Sequence, residues 1–286
     1  MTVSRAVLIT GCSTGIGRAT ALRLAAAGHT VYATARRPES IADLEDAGCR
    51  TLALDVTDEA SMQAAVQHVV DAEGAVGVLI NNAGYSQSGA VESIPLDDVR
   101  RQFETNVFGL LRMCQLVLPG MRAQHSGRIV NVSSMGANFV LPGGGIYHAT
   151  KYAVDALSDA MRFEVKGFGV DVVIVQPGAI RTNFDQAALS SLDVEPVEGD
   201  PYGAFNAEIG QMTVEAYEKG PMVKLGGEPD AVAKAIEKAI TARKPKIRYR
   251  VTPSAHLLIT TRSLTTARMW DRIVGSQLTQ PGSEKA

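Results

Sequence analysis

The stretch that most confines this chain is Ala6-Val-Leu-Ile-Thr10 running straight into Gly11-Cys12-Ser13-Thr14-Gly15-Ile16-Gly17. A short apolar run that breaks into closely spaced glycines reads as a buried parallel strand turning sharply into a helix. Ile16, Ala19, Thr20, Leu22 and Ala26 supply an Ala-rich helical pattern, and Gly28 is a suitable residue to close it. A strand buried on both faces needs helices above and below it, so this opening already asks for a layered α/β sheet.

The same unit recurs. Apolar runs at residues 30–35, 50–54, 76–80, 128–132, 170–175 and 246–251 read as further strands. Between them, helical patterns start at Pro38, at Asp58 as a cap, at Leu96 through Gln124 with Pro119 as a kink or stop, at Tyr147 and at Asp230. Strand–helix alternation implies right-handed crossovers. The expected fold is a Rossmann-type, doubly wound parallel sheet of about seven strands in one domain, with ligands at the carboxyl ends of the strands.

With 286 residues, 45% hydrophobic and 20% charged, the chain can bury a large core, and a net charge of -2 gives no general attraction to nucleic acid. Cys12, Cys49 and Cys114 make no disulfide or metal-ligand pattern, and no His/Cys/acid cluster implies a metal. With no secretory signal or membrane-spanning run in the sequence, a cytoplasmic location is expected.

Residues 131–151 form the second constrained stretch: Asn-Val-Ser-Ser-Met, a Gly-rich apolar run, then Tyr147-His-Ala-Thr-Lys151. On one helix, a spacing of four sets the phenol and the ammonium on one face, about 5–6 Å apart at Cβ. A fixed cation favours the phenolate, which draws a tyrosine pKa down from about 10. By itself such a pair also describes a solvated helix face, so its meaning depends on what else the chain supplies. His148 points about 100° off the Tyr147 face, which suits packing or surface better than catalysis.

The glycine loop lies between a strand and a helix, where the helix N-terminus offers free N–H groups to a pyrophosphate. Its Gly-x-x-x-Gly-x-Gly spacing resembles that of the short-chain dehydrogenase/reductase family. The resemblance extends through residues 5–182: Asn81-Asn82-Ala83-Gly84 after strand four, Asn106 in the helix that follows, Ser134-x12-Tyr147-x3-Lys151, and Pro177-Gly178 with Ile180 and Thr182 after strand six. It implies catalytic roles for Asn106, Ser134, Tyr147 and Lys151. Tyr147 is then the general acid or base matched to hydride transfer, Lys151 supports its phenolate and the nicotinamide ribose, Ser134 holds the substrate oxygen, and Asn106 holds a relay water. The family spacing selects Ser134 and leaves Ser133 as a structural neighbour. The implied cofactor contacts are Gly11, Ser13, Thr14, Gly15, Ile16, Gly17, Arg36, Arg37, Asp55, Val56, Asn82, Ala83, Gly84, Tyr147, Lys151, Pro177, Gly178, Ile180 and Thr182.

Cofactor choice turns on the end of strand two. The family's acidic position is Ala35, followed by Arg36 and Arg37, and guanidinium groups suit a 2′-phosphate, so NADP(H) is expected over NAD(H). Cys12 at a helix N-terminus could be a low-pKa thiol but reads first as a small loop residue.

Met135, Phe139, Val140 and Leu141 fall in a loop that lines the substrate pocket in this family, which implies an apolar alcohol or ketone. Local texture resembles the 17β-hydroxysteroid- and retinol-dehydrogenase-like branch. Residues 183–229 read as a substrate lid or, equally, a peripheral helical insertion. Residues 253–275 read as an amphipathic C-terminal helix docked on its own domain or a second subunit in preference to a membrane surface, and residues 280–286 as a frayed end. The resemblance also implies a homodimer or homotetramer through the helices at residues 99–121 and 153–168. Two other functions fit the same fold: a silent NADP-binding regulatory or scaffold protein, and a lyase or epimerase.

Overall fold

The structure is a computed structural model that describes residues 3–182, 192, 200–215 and 224–283. Seven parallel strands form one sheet in the order β3-β2-β1-β4-β5-β6-β7. They are β1 Val7–Ile9, β2 Val31–Ala35, β3 Arg50–Ala53, β4 Val78–Asn81, β5 Gly127–Val132, β6 Val170–Pro177 and β7 Arg248–Val251. The order reverses between β1 and β4: β1 lies between β2 and β4, in registers Val7↔Val31 and Val7↔Val78. The helices that follow β1 and β4 pack on opposite faces of the sheet, which leaves a crevice at the carboxyl ends of these two strands.

Successive strand residues feed opposite cores, as the pleat requires. Val7 and Ile9 pack with Ala21 and Leu24 of α1 (Gly15–Ala26) and with Val232 and Ile236 of a helix at Pro229–Thr241. Leu8 packs the other way, with Val66 and Val69 of α2 (Glu59–Glu73), Met113 and Val117 of a helix at Leu110–Ala123, and Val154 of one at Gly145–Val165. Between β2 and β3 the chain makes a 3-10 helix at Pro38–Leu44 rather than an α-helix, with Ile41 and Leu44 buried.

The helix expected at residues 96–124 is continuous in direction but not in type. α3 (Leu96–Phe103) passes through a π-helical turn at Glu104–Gly109 into α4 (Leu110–Ala123), and Pro119 lies inside α4 without ending it. α5 (Gly145–Val165) begins two residues before Tyr147. Most of residues 183–229 lies outside the described residues; the described part contains α6 (Gly203–Val214). α7 (Pro229–Thr241) and β7 follow.

The C-terminal segment is two helices, not one. α8 (Pro253–Leu264) stops at Thr265, and Thr266 starts α9 (Ala267–Gly275) by accepting from Met269 N–H with its hydroxyl at 3.3 Å. Both dock on the domain: Ala255, Ile259 and Trp270 bury against Phe139. Thr279 is tied to Glu208 of α6 through N–H and hydroxyl bonds of 2.8 and 2.7 Å; of the expected frayed end, residues 284–286 lie outside the described residues. No helix among the described residues is long and apolar enough to cross a membrane.

Candidate active site

A cleft of about 1330 Å³ opens at the carboxyl ends of the strands. Its floor is the glycine loop. Gly11 and Gly15 hold φ of +73° and +58°, a region that favours glycine. A Cβ on Gly17 would sit 2.2 Å from Gly11 O and 2.5 Å from Asn82 Nδ2, so α1 can approach the loop only because this position has no side chain. Asn82 ties the loop to β4: its Nδ2 donates to Thr10 O at 3.0 Å and Gly11 O at 2.9 Å, while Thr10 Oγ1 accepts from Asn82 and Ala83 N–H, each at 3.0 Å. The N-terminus of α1 thus faces the cleft behind a rigid backbone turn, the arrangement a pyrophosphate requires.

Of the residues expected to contact a cofactor, Gly11, Ser13, Thr14, Gly15, Ile16, Arg36, Asp55, Val56, Asn82, Ala83, Gly84, Tyr147, Lys151, Pro177, Gly178, Ile180 and Thr182 all border this cleft. Gly17 is buried behind the loop, and Arg37 is exposed as the residue before the 3-10 helix. Asp55 Oδ1 is engaged by Thr57 N–H and hydroxyl, at 2.9 and 2.7 Å. The turn after β6 is held by β7 and α8: Gly178 N–H donates to Val251 O at 3.0 Å, and Ala179 N–H to Ser254 Oγ at 3.3 Å.

On the other wall α5 presents Tyr147 and Lys151. The Lys151 ammonium lies 5.7 Å from the centre of the Tyr147 ring and donates to Val132 O at 3.0 Å. Lys151 is buried, and that desolvation lowers its pKa to about 8, opposed by the charge of Asp155 one turn further on. Asp155 is itself engaged: Ser133 Oγ donates to it at 2.6 Å and Gln176 Nε2 at 2.8 Å, while burial pushes its carboxyl pKa up. Ser133 borders the cleft and Ser134 does not, but the Ser133 hydroxyl is committed to Asp155. Ser134 Oγ accepts from Gly136 N–H at 3.0 Å, which leaves the hydroxyl hydrogen for another acceptor.

Asn106 lies in the π turn and is buried. Its Nδ2 donates to Tyr85 O at 2.9 Å and Thr150 Oγ1 at 3.1 Å, and its Oδ1 accepts from Tyr85 N–H at 3.1 Å. Thr150 in turn donates to Tyr147 O at 2.7 Å, so Asn106 locks the start of α5 to the chain leaving β4.

With this geometry established, comparison with known proteins decides the family. The profile described as short chain dehydrogenase matches residues 5–192. The chain belongs to this family. Over 254 residues it is 37% identical to a 3-ketodihydrosphingosine reductase of Bacteroides thetaiotaomicron, covering 88% of this chain and 89% of that one. It is 32% identical over 278 residues to an NADPH-dependent 3-dehydrocapnine reductase of Ornithobacterium rhinotracheale, covering 94% and 95%. Among solved structures, a short-chain dehydrogenase from Streptomyces avermitilis superposes with a TM-score of 0.79 at 35% identity, covering 96% and 97%.

In this short-chain dehydrogenase the loop after Ser134 departs from the expectation of an apolar pocket wall. Phe139 is buried 5.3 Å from the Trp270 ring with Met135 beside it, Val140 and Leu141 are exposed, and none of the four borders the cleft. The Trp270 indole N–H donates to Val140 O at 3.2 Å, so the loop is drawn outward onto α9. Among the described residues that end of the cleft is bordered instead by Gln87, Ser88, Ser93, Ile94, Asp200 and Asn206. Asn206 comes from α6 and accepts from Ala90 N–H at 3.0 Å, which brings the described part of the expected lid to the cleft.

Sequence reasoning did not single out Thr150, Asp155, Tyr85, Asn206 or Arg101 of α3. Arg101 borders the cleft, and its charge and that of Arg36 both act on the Tyr85 phenol, whose pKa burial raises. A rule for i,i+4 partners of Lys151 would have found Asp155; no local signal marks the others. Cys12 is buried with its thiol pushed up to about 12 by desolvation, so it is an inert loop residue.

Proposed function

We propose that this protein is an NADP(H)-dependent reductase that interconverts a ketone and a secondary alcohol, with Tyr147 as general acid in reduction and general base in oxidation. The observation that carries the reading is the meeting of Tyr147 and buried Lys151 at the mouth of a cleft floored by the glycine cradle. A bound nicotinamide supplies the hydride. Tyr147 gives its proton to the ketone oxygen, and Lys151, anchored on Val132 O, holds positive charge beside the phenolate left behind. Ser134, already accepting from Gly136 N–H, donates to the same oxygen as negative charge develops. The amide of Asn106 is committed to Tyr85 and Thr150, so Asn106 serves the site by fixing the start of α5 and with it Tyr147 and Lys151.

Preference for NADP(H) is supported by Ala35 in place of an acid and by Arg36 at the cleft. The relative that reduces 3-dehydrocapnine is NADPH-dependent by name. For the substrate, a ketone remains the frame, although the loop that suggested an apolar one lies outside the cleft. The polar border formed by Gln87, Ser88 and Asn206 and the 3-keto relative favour a long-chain ketone with a polar group near the carbonyl over a steroid or retinoid. Exposed Phe108, Tyr152, Phe163 and Phe168 along the helices at residues 104–168 support a homo-oligomer, and three buried free cysteines suit a reducing cytoplasm.

The test is a panel of long-chain 3-ketones, steroid ketones and retinoid carbonyls followed at the NADPH absorbance band with both cofactors. A long-chain ketone should turn over with NADPH preferred at least ~10-fold, about 1.4 kcal/mol at the 2′-phosphate. Better use of NADH would overturn the reading of Arg36. Cofactor binding without turnover of any carbonyl would favour the silent scaffold.

A further inference from the structure

His148 was expected to pack or face solvent, yet the structure gives it a more specific environment. Its imidazole is buried, and both ring nitrogens are used by the backbone of the segment after Ser134: Nδ1 lies 2.7 Å from Gly136 O, and Nε2 lies 3.3 Å from Leu141 N. A backbone N–H can only donate, so Nε2 is the bare acceptor and Nδ1–H donates to the Gly136 carbonyl. This is the neutral ring, and burial also lowers the His148 pKa.

A second observation is independent of these bonds. A Cβ on Gly136 would lie 2.6 Å from His148 Nδ1, and one on Gly144 would lie 2.8 Å from His148 Cδ2. The segment therefore closes round the ring at two points, and both have no side chain. The Phe139 ring packs against the imidazole at 6.2 Å between centres and the Tyr147 ring at 5.9 Å. Gly136 is also the residue whose N–H donates to Ser134 Oγ.

We infer that His148 is a positioning residue for Ser134: by holding the Gly136 carbonyl it fixes the Gly136 N–H that orients the Ser134 hydroxyl towards the substrate oxygen. The inference rests on the catalytic role proposed for Ser134. A displaced hydroxyl still binds NADPH but loses its geometry at the reacting oxygen, and misplacement of about 1 Å can reduce turnover by ~100-fold.

The test is a double-mutant cycle on the best ketone of the panel, with NADPH affinity measured by fluorescence. His148→Phe keeps a ring of similar size but makes neither hydrogen bond; it should lower kcat by roughly tenfold or more with NADPH affinity unchanged. In a Ser134→Ala background the same change should lower kcat by less than ~2-fold, because the group it positions is gone. His148→Gln, which keeps a donor and an acceptor, should restore part of the loss. Equal losses in both backgrounds, or a folded His148→Phe with undiminished kcat, would overturn the inference. Full activity in Ser134→Ala alone would instead overturn the role of Ser134. If His148→Phe does not fold, Gly136→Ala, whose Cβ meets the ring, carries the same cycle with the same two outcomes.

Discussion

The two ends of the cleft are held by different kinds of contact. At the cofactor end the close fit of backbone to backbone does the positioning: glycines let α1 approach the loop, and only the short side chains of Asn82 and Thr10, each bonded to main-chain atoms of the neighbouring strand end, tie β4 to β1. At the substrate end, individual side chains from distant parts of the chain hold a loop in place. His148 grips it from α5, Trp270 from α9, and Asn206 reaches from α6 to the chain after β4. A backbone cradle has few ways to vary, whereas a side-chain clasp can be re-cut residue by residue. This is why the cofactor end reads as a family property and the substrate end as a property of this chain.

That contrast breaks most severely at Gly17. Gly17→Ala puts a methyl group 2.2 Å from Gly11 O, and the neighbour it meets is backbone that cannot step aside. NADPH binding should weaken by at least ~100-fold and the melting temperature should fall, since overpacking of this kind costs roughly 1–3 kcal/mol or more. Titration of the variant with NADPH at near-native affinity would mean that the cradle is softer than its geometry.

Trp270→Ala sharpens the comparison from the other side. It removes the packing partner of Phe139 and the donor to Val140 O, so the loop after Ser134 should loosen. The kcat for the ketone should fall by about tenfold while NADPH affinity stays within ~2-fold, a split that steady-state kinetics and fluorescence titration separate. Weaker NADPH binding in this variant would show that the two ends are not independently built.

The smallest effect is graded by pH. Lys151 has its pKa lowered from 10.5 to about 8, so its charge is lost at a lower pH than that of a free lysine. The kcat/KM for NADPH should therefore fall as pH rises through about 8, by up to ~10-fold per unit above it. The apo protein should move the opposite way in stability. Between about 8 and 10.5 the unfolded chain binds the extra proton, so this group's contribution to stability increases with pH across that window. Activity lost together with stability would point to unfolding instead of deprotonation.

The same contrast explains what could be read from the sequence. Strands such as Val7–Ile9 are apolar at every position because both faces are buried, and that pattern is local, so the sheet was legible strand by strand. The glycine loop was legible because only glycine fits where backbone meets backbone. The π turn around Asn106 was not, because it changes hydrogen-bond register without changing composition. Nor was the break at Thr265–Thr266, where the apolar period continues across two residues that stop one helix and cap the next. Phe139 was misplaced in the pocket because its partner, Trp270, lies 131 positions away and leaves no trace near it. His148 was correctly set off the Tyr147 face, but helix geometry could not say that a loop would wrap the side it does face.

The central claim is that Tyr147, supported by Lys151, gives and takes the substrate proton. Tyr147→Phe removes one hydroxyl and keeps the ring. Turnover of the best ketone should fall by at least ~1000-fold, at the upper end of what general acid–base catalysis supplies, while NADPH binds within a few-fold of the unaltered protein. Retained turnover in a folded, NADPH-binding variant would contradict it.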